Sequence, residues 1–158
     1  MVDRKNIYMN RHGMIRWENN MEQYKHIVQY YETDKMGITH HSNYIRWMEE
    51  ARVNFLENIG FSYKTMEDNG IVSPVLAVNC DYKQTTTFGD EIYIKASVAE
   101  FKGVRLTIRY EMTKSDGTLV CEAASKHCFM GQDGRPLRLK TDYPEFYECM
   151  MELACCKD

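Results

Sequence analysis

The chain has 158 residues, a length typical of one domain with a short extension. Hydrophobic residues make up 44% of it and charged residues 27%, which excludes a disordered or fibrous protein. The net charge of −3 lacks the basic surplus of a non-specific nucleic-acid-binding protein, so we expect no nucleic-acid partner.

Neither a membrane-spanning segment nor a signal peptide is visible in the sequence. The longest strongly apolar stretch, residues 75–78, is far shorter than the ~20 residues of a membrane helix, and the N-terminus has no apolar core. The six cysteines show neither Cys-x-x-Cys pairing nor a framework of spacings. We therefore predict a cytoplasmic protein with free thiols and without a membrane span.

The beginning of the chain differs from the rest in its pattern. Residues 1–20 are mixed and polar without a clear period, and we expect them to form an extension outside a single domain at residues 21–158. From Tyr24 to Tyr30, aromatic and apolar side chains occupy alternate positions, which predicts a strand.

The strongest helix signal covers residues 42–59, where large apolar side chains recur at spacings of three and four. Further apolar residues widen this stripe, so we expect the helix to be covered on more than one side. Thr39 or Ser42 is suited to cap its start, and Gly60 to follow its end. A shorter helix is predicted at residues 63–68.

After these helices, the period of the pattern changes to two residues, and Asp116-Gly117 is a typical hairpin turn. Near the C-terminus, Asp142 is suited to cap a last helix. Four apolar residues share one face of that helix, namely Phe146, Cys149, Met150 and Leu153. The predicted strands cover residues 75–82, 92–98, 104–112 and 119–130.

Short turns between consecutive strands require antiparallel pairing. A five-stranded sheet needs its apolar face covered, and the long apolar helix at residues 42–59 is available to cover it. We therefore predict an α+β fold in which a five-stranded antiparallel sheet wraps around one long central helix.

The loop between the first strand and the long helix carries the strongest chemical signal. Asp34 lies in this loop, seven residues before His41 at the helix start. A helix N-terminus offers unpaired N–H groups and a positive dipole end, which can stabilise an oxyanion. A carboxylate near those donors could attack a carbonyl held there or activate a water to do so. The alternative is that Asp34 is a turn residue without chemistry.

The same region contains polar, glycine and aromatic residues at fixed intervals: Val28, Tyr30, Thr33, Asp34, Gly37, His41, Asn43, Tyr44, Trp47, Glu49, Ala51 and Arg52. This pattern resembles the motif of the 4-hydroxybenzoyl-CoA thioesterase family, whose members are acyl-CoA thioesterases with the hotdog fold. The likeness continues more weakly to about residue 140 and leaves residues 1–20 outside.

The resemblance implies a hotdog fold, in which a sheet wraps around one long helix as the periodicity also predicts. It implies hydrolysis of an acyl-CoA thioester to the free acid and coenzyme A. We expect neither a metal nor a cofactor, because the sequence has no His-Glu-x-x-His motif and the adjacent side chains of His40 and His41 would diverge at a helix start. The resemblance further implies a homodimer or homotetramer, since a single hotdog domain leaves a sheet edge open.

By this resemblance, Asp34 occupies the position of the catalytic carboxylate, as nucleophile or as general base. The backbone N–H of His41 would polarise the thioester carbonyl, and its imidazole is a candidate for assisting. Tyr30 matches a residue that lines the site, or else it is a core aromatic residue. Asn43 and Tyr44 are expected to support the helix start and to pack beneath it.

Lys102 and Arg105 flank a hairpin where related enzymes place contacts to the phosphates of coenzyme A, although Arg105 also suits a solvated strand face.

A sister group of hotdog thioesterases places its catalytic carboxylate on the helix, where Glu49 lies a little over two turns beyond His41. His127, inside the last long strand, is expected to be buried and bonded to a neighbour.

Two other functions remain open at this point. The same residues would serve a thioesterase that acts on acyl carrier protein esters, and only the partner would differ. A non-catalytic acyl-CoA-binding protein is the alternative from another functional class, although the presence of Asp34 in the motif argues against it.

Overall fold

The computed structural model describes residues 22–155, together with the backbone of two short strands that precede them. Strand β1 (Ile7–Met9) pairs antiparallel with β2 (Ile15–Trp17). The other residues of the predicted extension and Cys156 lie outside the described part of the chain. The domain boundary at residue 20 therefore stays a prediction.

A five-stranded sheet forms the framework of the domain. Its strands are β3 (Tyr24–Ile27), β5 (Val75–Tyr82), β6 (Glu91–Lys102), β7 (Arg105–Lys114) and β8 (Leu119–Cys128). All neighbours are antiparallel, in the spatial order β3, β6, β7, β8, β5. The short strands β4 (Ile71–Val72) and β9 (Met130–Gly131) pair separately. The structure confirms the predicted antiparallel sheet.

Helix α1 (Ser42–Asn58) packs against this sheet, as the apolar spacing predicted. Its sheet-facing side is fully covered, whereas Ile45, Arg46, Glu49 and Glu50 are exposed on the other side. The expected cover on a second side of the helix is therefore incomplete, because the apolar side chain of Ile45 is exposed. The buried side chains of α1 include Tyr44, Trp47, Met48, Ala51, Phe55 and Leu56.

The first strand of the sheet ends earlier than its alternating pattern predicted. β3 stops at Ile27, and a 3₁₀ turn follows at Tyr30–Glu32. The backbone N–H of Gln29 donates to Glu32 Oε2 at 2.8 Å, which bends the chain away from the sheet. This turn moves Tyr30 out of the strand and into the loop that precedes α1.

The expectation for the cap of α1 is wrong. His41 precedes the helix, and no side chain caps it there. Thr39 forms an isolated β-bridge with Thr33, and its hydroxyl donates to Thr86 O at 3.3 Å instead. The N–H groups of Ser42, Asn43 and Tyr44 instead donate to His40 Nδ1, His40 O and His41 O at 3.3, 3.0 and 3.3 Å. The N–H of His41 has no acceptor among residues 22–155.

The C-terminal region forms α3 (Leu139–Asp142) and α4 (Pro144–Cys155), whereas α2 (Tyr63–Asp68) follows α1 as predicted. Asp142 ends α3 rather than capping α4, and its Oδ2 accepts from Arg138 N–H at 3.1 Å. Proline at the first position of α4 suits a helix start without a side-chain cap. The predicted apolar face of α4 is confirmed, because Phe146, Cys149, Met150 and Leu153 are all buried.

All five cysteines in the described part of the chain are free thiols, as predicted. Between residues 22 and 155, no helix combines the length and the apolar character that crossing a membrane requires.

The expectation that His127 is buried and bonded to a neighbour is also confirmed. It is 1% exposed, and Arg52 donates to its Nδ1 at 3.0 Å.

Candidate active site

A tight turn presents Asp34 at the surface. Its N–H donates to Ile38 O at 2.9 Å, and Gly37 N–H donates to Asp34 O at 3.0 Å. Gly37 adopts φ +74°, a conformation that favours glycine. The loop is also tied to the segment before β6, because the Thr87 hydroxyl donates to Gly37 O at 2.8 Å. The backbone around Asp34 is therefore held from several sides.

The two carboxylate oxygens of Asp34 differ in their surroundings. Oδ1 accepts from Met36 N–H at 2.8 Å, which completes the turn. No donor in the described part of the chain bonds Oδ2. One oxygen thus holds the side chain in place, and the other is available for chemistry.

The start of α1 offers backbone donors close by in sequence. His41 already has helical backbone angles (φ −54°, ψ −30°). Its N–H finds no acceptor among residues 22–155, whereas Asn43 N–H donates to His40 O at 3.0 Å. A free N–H at the positive end of a 17-residue helix is suited to stabilise an anion.

Asp34 and Tyr30 line a common groove of about 850 Å³ together with His40, Ser42 and Asn43. The structure therefore brings Asp34 and Tyr30 to the start of α1, as the motif predicted. Tyr30 is 77% exposed and packs edge-on against Phe88 at 5.8 Å. The alternative that Tyr30 is a core aromatic residue is wrong.

His41 presents its side chain elsewhere. It lines a neighbouring groove of about 310 Å³ with Tyr44 and Tyr82, and its ring stacks on His40 at 4.2 Å. Its carbonyl oxygen accepts from the Tyr82 hydroxyl at 3.1 Å. Within one subunit, His41 and Asp34 therefore line different grooves, and the predicted roles of the His41 N–H and imidazole stay predictions.

Lys102 and Arg105 lie at the far end of the sheet. β6 starts at Glu91 beside the Asp34 loop and has twelve residues, so its ends are roughly 35 Å apart at ~3.3 Å per residue. Lys102 pairs with Glu100, and Arg105 is exposed. One subunit does not bring these cations to its own Asp34 groove, and their predicted role stays a prediction.

Three basic side chains do line the Asp34 groove, namely Lys35, His40 and Arg46. Arg46 was missed in the sequence because it lies on the polar side of α1. Its position three residues after Asn43 was the available signal, since residues at this spacing share a helix face.

Glu49, the alternative catalytic carboxylate, is exposed on α1. It lines a separate groove with Tyr24 and Glu50, which shares only Arg46 with the Asp34 groove. The geometry therefore favours Asp34 over Glu49.

Glu32, a second acidic residue close to Asp34 in sequence, is buried, unlike Asp34. Glu32 is 4% exposed and accepts hydrogen bonds from Gln29 N–H, His26 Nε2 and Trp47 Nε1, each at 2.8 Å. Burial by itself raises the pKa of Glu32, but these hydrogen bonds outweigh it and hold the pKa below its usual range. Glu32 is thus an ionised residue directly behind the Asp34 loop.

Comparison with known proteins identifies the family. The model of the thioesterase-like superfamily matches residues 28–150. The chain belongs to this superfamily. It is 31% identical to YneP of Bacillus subtilis over 121 residues, which cover 76% of this chain and 88% of YneP. It is 26% identical to the 4-hydroxybenzoyl-CoA thioesterase of a Pseudomonas species over 128 residues, 75% of this chain and 91% of that enzyme.

Solved structures agree with this assignment. The DHNA-CoA thioesterase from Staphylococcus aureus superimposes with a TM-score of 0.79 at 31% identity, covering 83% of this chain and 89% of that one. A protein of Aquifex aeolicus gives a TM-score of 0.73 at 35% identity, covering 83% and 98%. The hotdog fold and the thioester-hydrolase class predicted from the motif are confirmed. The roles of individual site residues stay predictions.

Proposed function

We propose that this protein is an acyl-CoA thioesterase in which Asp34 is the catalytic carboxylate. The observation that carries the proposal is the arrangement of Asp34 itself. One of its oxygens is held by Met36 N–H at 2.8 Å, and the other faces no protein donor among residues 22–155. The groove that it lines also contains the first residues of α1.

In the proposed reaction, the thioester carbonyl binds with its oxygen near the free N–H of His41. Charge that develops on this oxygen is stabilised by the N–H and by the helix dipole. Asp34 either attacks the carbonyl carbon, forming an anhydride that water hydrolyses, or removes a proton from an attacking water. In both routes the C–S bond breaks, the thiolate of coenzyme A leaves and takes up a proton, and the acyl group becomes a free acid.

Coenzyme A carries phosphates, which need positive charge near the mouth of the groove. Lys35 and Arg46 line the Asp34 groove and supply such charge within the subunit. Lys102 and Arg105, which the motif comparison suggested, would contribute only from another subunit, because they lie at the opposite end of their own sheet.

We further propose that two copies pair through β5. This strand is at the edge of the sheet, and its unpaired backbone groups can bond another strand. Its side chains Val75, Leu76 and Val78 are between 40% and 53% exposed. Light scattering at micromolar concentration should give the mass of a dimer or tetramer, and a monomer would contradict this proposal.

The activity is tested by incubating the protein with a panel of acyl-CoAs and a thiol reagent that detects released coenzyme A. We expect steady release from at least one member of the panel. Binding without release would favour the non-catalytic acyl-CoA-binding protein. Comparing one acyl group on coenzyme A and on acyl carrier protein would separate the two thioesterase functions.

A further inference from the structure

A network of hydrogen bonds lies behind the Asp34 loop, and no step of the reaction proposed above uses its side chains. At its centre, the buried carboxylate of Glu32 accepts from His26 Nε2 and, through its other oxygen, from Trp47 Nε1. His26 belongs to β3 and Trp47 to α1. The side chain of Glu32 thus joins the first strand to the central helix.

The backbone of Glu32 makes a second connection to the same helix. Its carbonyl oxygen accepts from His40 N–H at 2.8 Å and from Asn43 Nδ2 at 2.9 Å. Asp34 follows Glu32 by two residues, and His40 directly precedes His41. The distance between the carboxylate of Asp34 and the donors of α1 therefore depends on where Glu32 is held.

His26 keeps the Glu32 carboxylate in this position. Its Nε2 lies 2.8 Å from Glu32 Oε2, and its Nδ1 lies 3.4 Å from Glu50 Oε2. The Tyr24 hydroxyl donates to the same oxygen of Glu50 at 2.9 Å. The ring of His26 also packs on Trp47, with centroids 4.7 Å apart. Its side chain is 11% exposed and does not line the Asp34 groove.

We propose that His26 and Glu32 are positioning residues of the thioesterase site, which rests on the proposed function. Glu32 fixes Asp34 relative to the N–H groups at the start of α1, and His26 supplies the hydrogen bond that orients the Glu32 carboxylate. Neither residue contacts the substrate. A buried carboxylate with fixed hydrogen-bond partners has one defined orientation, and a displacement of about 1 Å at a catalytic group can cost about 100-fold in rate.

The test uses His26→Leu and Glu32→Gln, with Lys25→Gln as the control, because leucine fills a similar volume but cannot donate to Glu32. Lys25 lies next to His26 on β3 and forms an ion pair of similar length, 2.7 Å, with Glu91 outside the core. We expect kcat to fall about 10- to 100-fold in the two test variants with KM little changed. The control should keep wild-type kcat.

The double variant His26→Gln/Glu32→Gln provides a rescue. In Glu32→Gln, the new amide N–H₂ group competes with donors from His26 and Gln29, whereas the amide oxygen of a glutamine at position 26 can accept from it. The loss of kcat in the double variant should therefore be smaller than in Glu32→Gln alone.

Amide hydrogen exchange gives a readout that needs no substrate. The amides of Asp34 and His40, which donate to Ile38 O and Glu32 O, should exchange faster in both test variants, while β7 amides exchange as in the wild type. Unchanged exchange at these two amides would overturn the proposal even if the wild type proves inactive. A double variant no more active than Glu32→Gln would also overturn the proposal, as would a wild-type kcat in His26→Leu. If Glu32→Gln does not fold, the kcat and the amide exchange of His26→Leu decide.

Discussion

The replacement Asp34→Asn separates chemistry from structure at the centre of the site. In the protein, Asp34 Oδ1 accepts from Met36 N–H at 2.8 Å, and the amide oxygen of asparagine can accept the same bond. The turn should therefore survive. What asparagine cannot supply is the ionised second oxygen, which bonds no donor among residues 22–155.

The size of the expected loss follows from the role of this oxygen. Removing general-base help typically costs about 100- to 10,000-fold in rate, equivalent to about 2.7 to 5.4 kcal/mol of transition-state stabilisation at ~1.36 kcal/mol per tenfold. Loss of a nucleophile could cost more. The free energy of unfolding should change by less than ~0.5 kcal/mol, because the site is at the surface and the turn bond is kept.

The assay measures release of coenzyme A with a thiol reagent under saturating and limiting substrate, and urea unfolding checks the fold. Asp116→Asn is the matched control, because Asp116 Oδ1 accepts from Thr118 N–H at 2.9 Å in the same type of turn, in the β7–β8 hairpin. We expect wild-type turnover from this control. If Asp34→Asn also turned over at the wild-type rate, Asp34 would be a turn residue and the carboxylate mechanism would be refuted.

Four further changes test other parts of the structure. Glu49→Gln should leave turnover near the wild-type rate, and an inactive variant would move the catalytic carboxylate to α1. His41→Ala should keep partial activity because the backbone N–H remains; a loss as complete as in Asp34→Asn would show that the imidazole is essential. Gly37→Ala should cost about 1 to 2 kcal/mol in urea unfolding, since alanine is strained at φ +74°, and unchanged stability would contradict the conformation of this turn. Burial and the neighbouring charge of Arg52 lower the pKa of His127 from 6.5 to about 4. Between these two pH values, His127 therefore binds a proton in the unfolded chain but not in the folded one. The free energy of unfolding should fall by up to about 3 kcal/mol as pH falls through this window. His127→Asn should show a shallower loss between pH 6.5 and 4.5 in urea unfolding, and an identical slope would contradict the assignment.

The sequence was sufficient for features that depend on local pattern. The helix at residues 42–59 and the antiparallel strands follow from apolar spacing, because burial on one face imposes a period of three to four in a helix and of two in a strand. The candidate site was also visible, since Tyr30, Asp34 and the start of α1 lie within one short segment and the loop cannot carry them far apart.

Features that depend on partners distant in the chain could be decided only by the tertiary structure. Thr39 fails to cap α1 because its hydroxyl bonds Thr86, 47 residues away. Glu32 became recognisable as a buried anchor only when β3 and α1 brought His26 and Trp47 to its two oxygens. A carboxylate in a turn has no local mark that distinguishes this role from that of a solvated residue.

The placement of the cations shows the same division. The sequence alone was sufficient to predict a hotdog-type domain and a carboxylate before its long helix. Periodicity indicates the domain, and one continuous motif indicates the carboxylate. The positions of the cations relative to Asp34 depend instead on strand order and strand length. These two features put Lys102 at the end of the twelve-residue strand β6, far from Asp34, and left Arg46 beside it. The distance between two residues at opposite ends of a sheet depends on the length and order of several strands. A short sequence motif does not contain this information, and only the packing of the whole domain determines it.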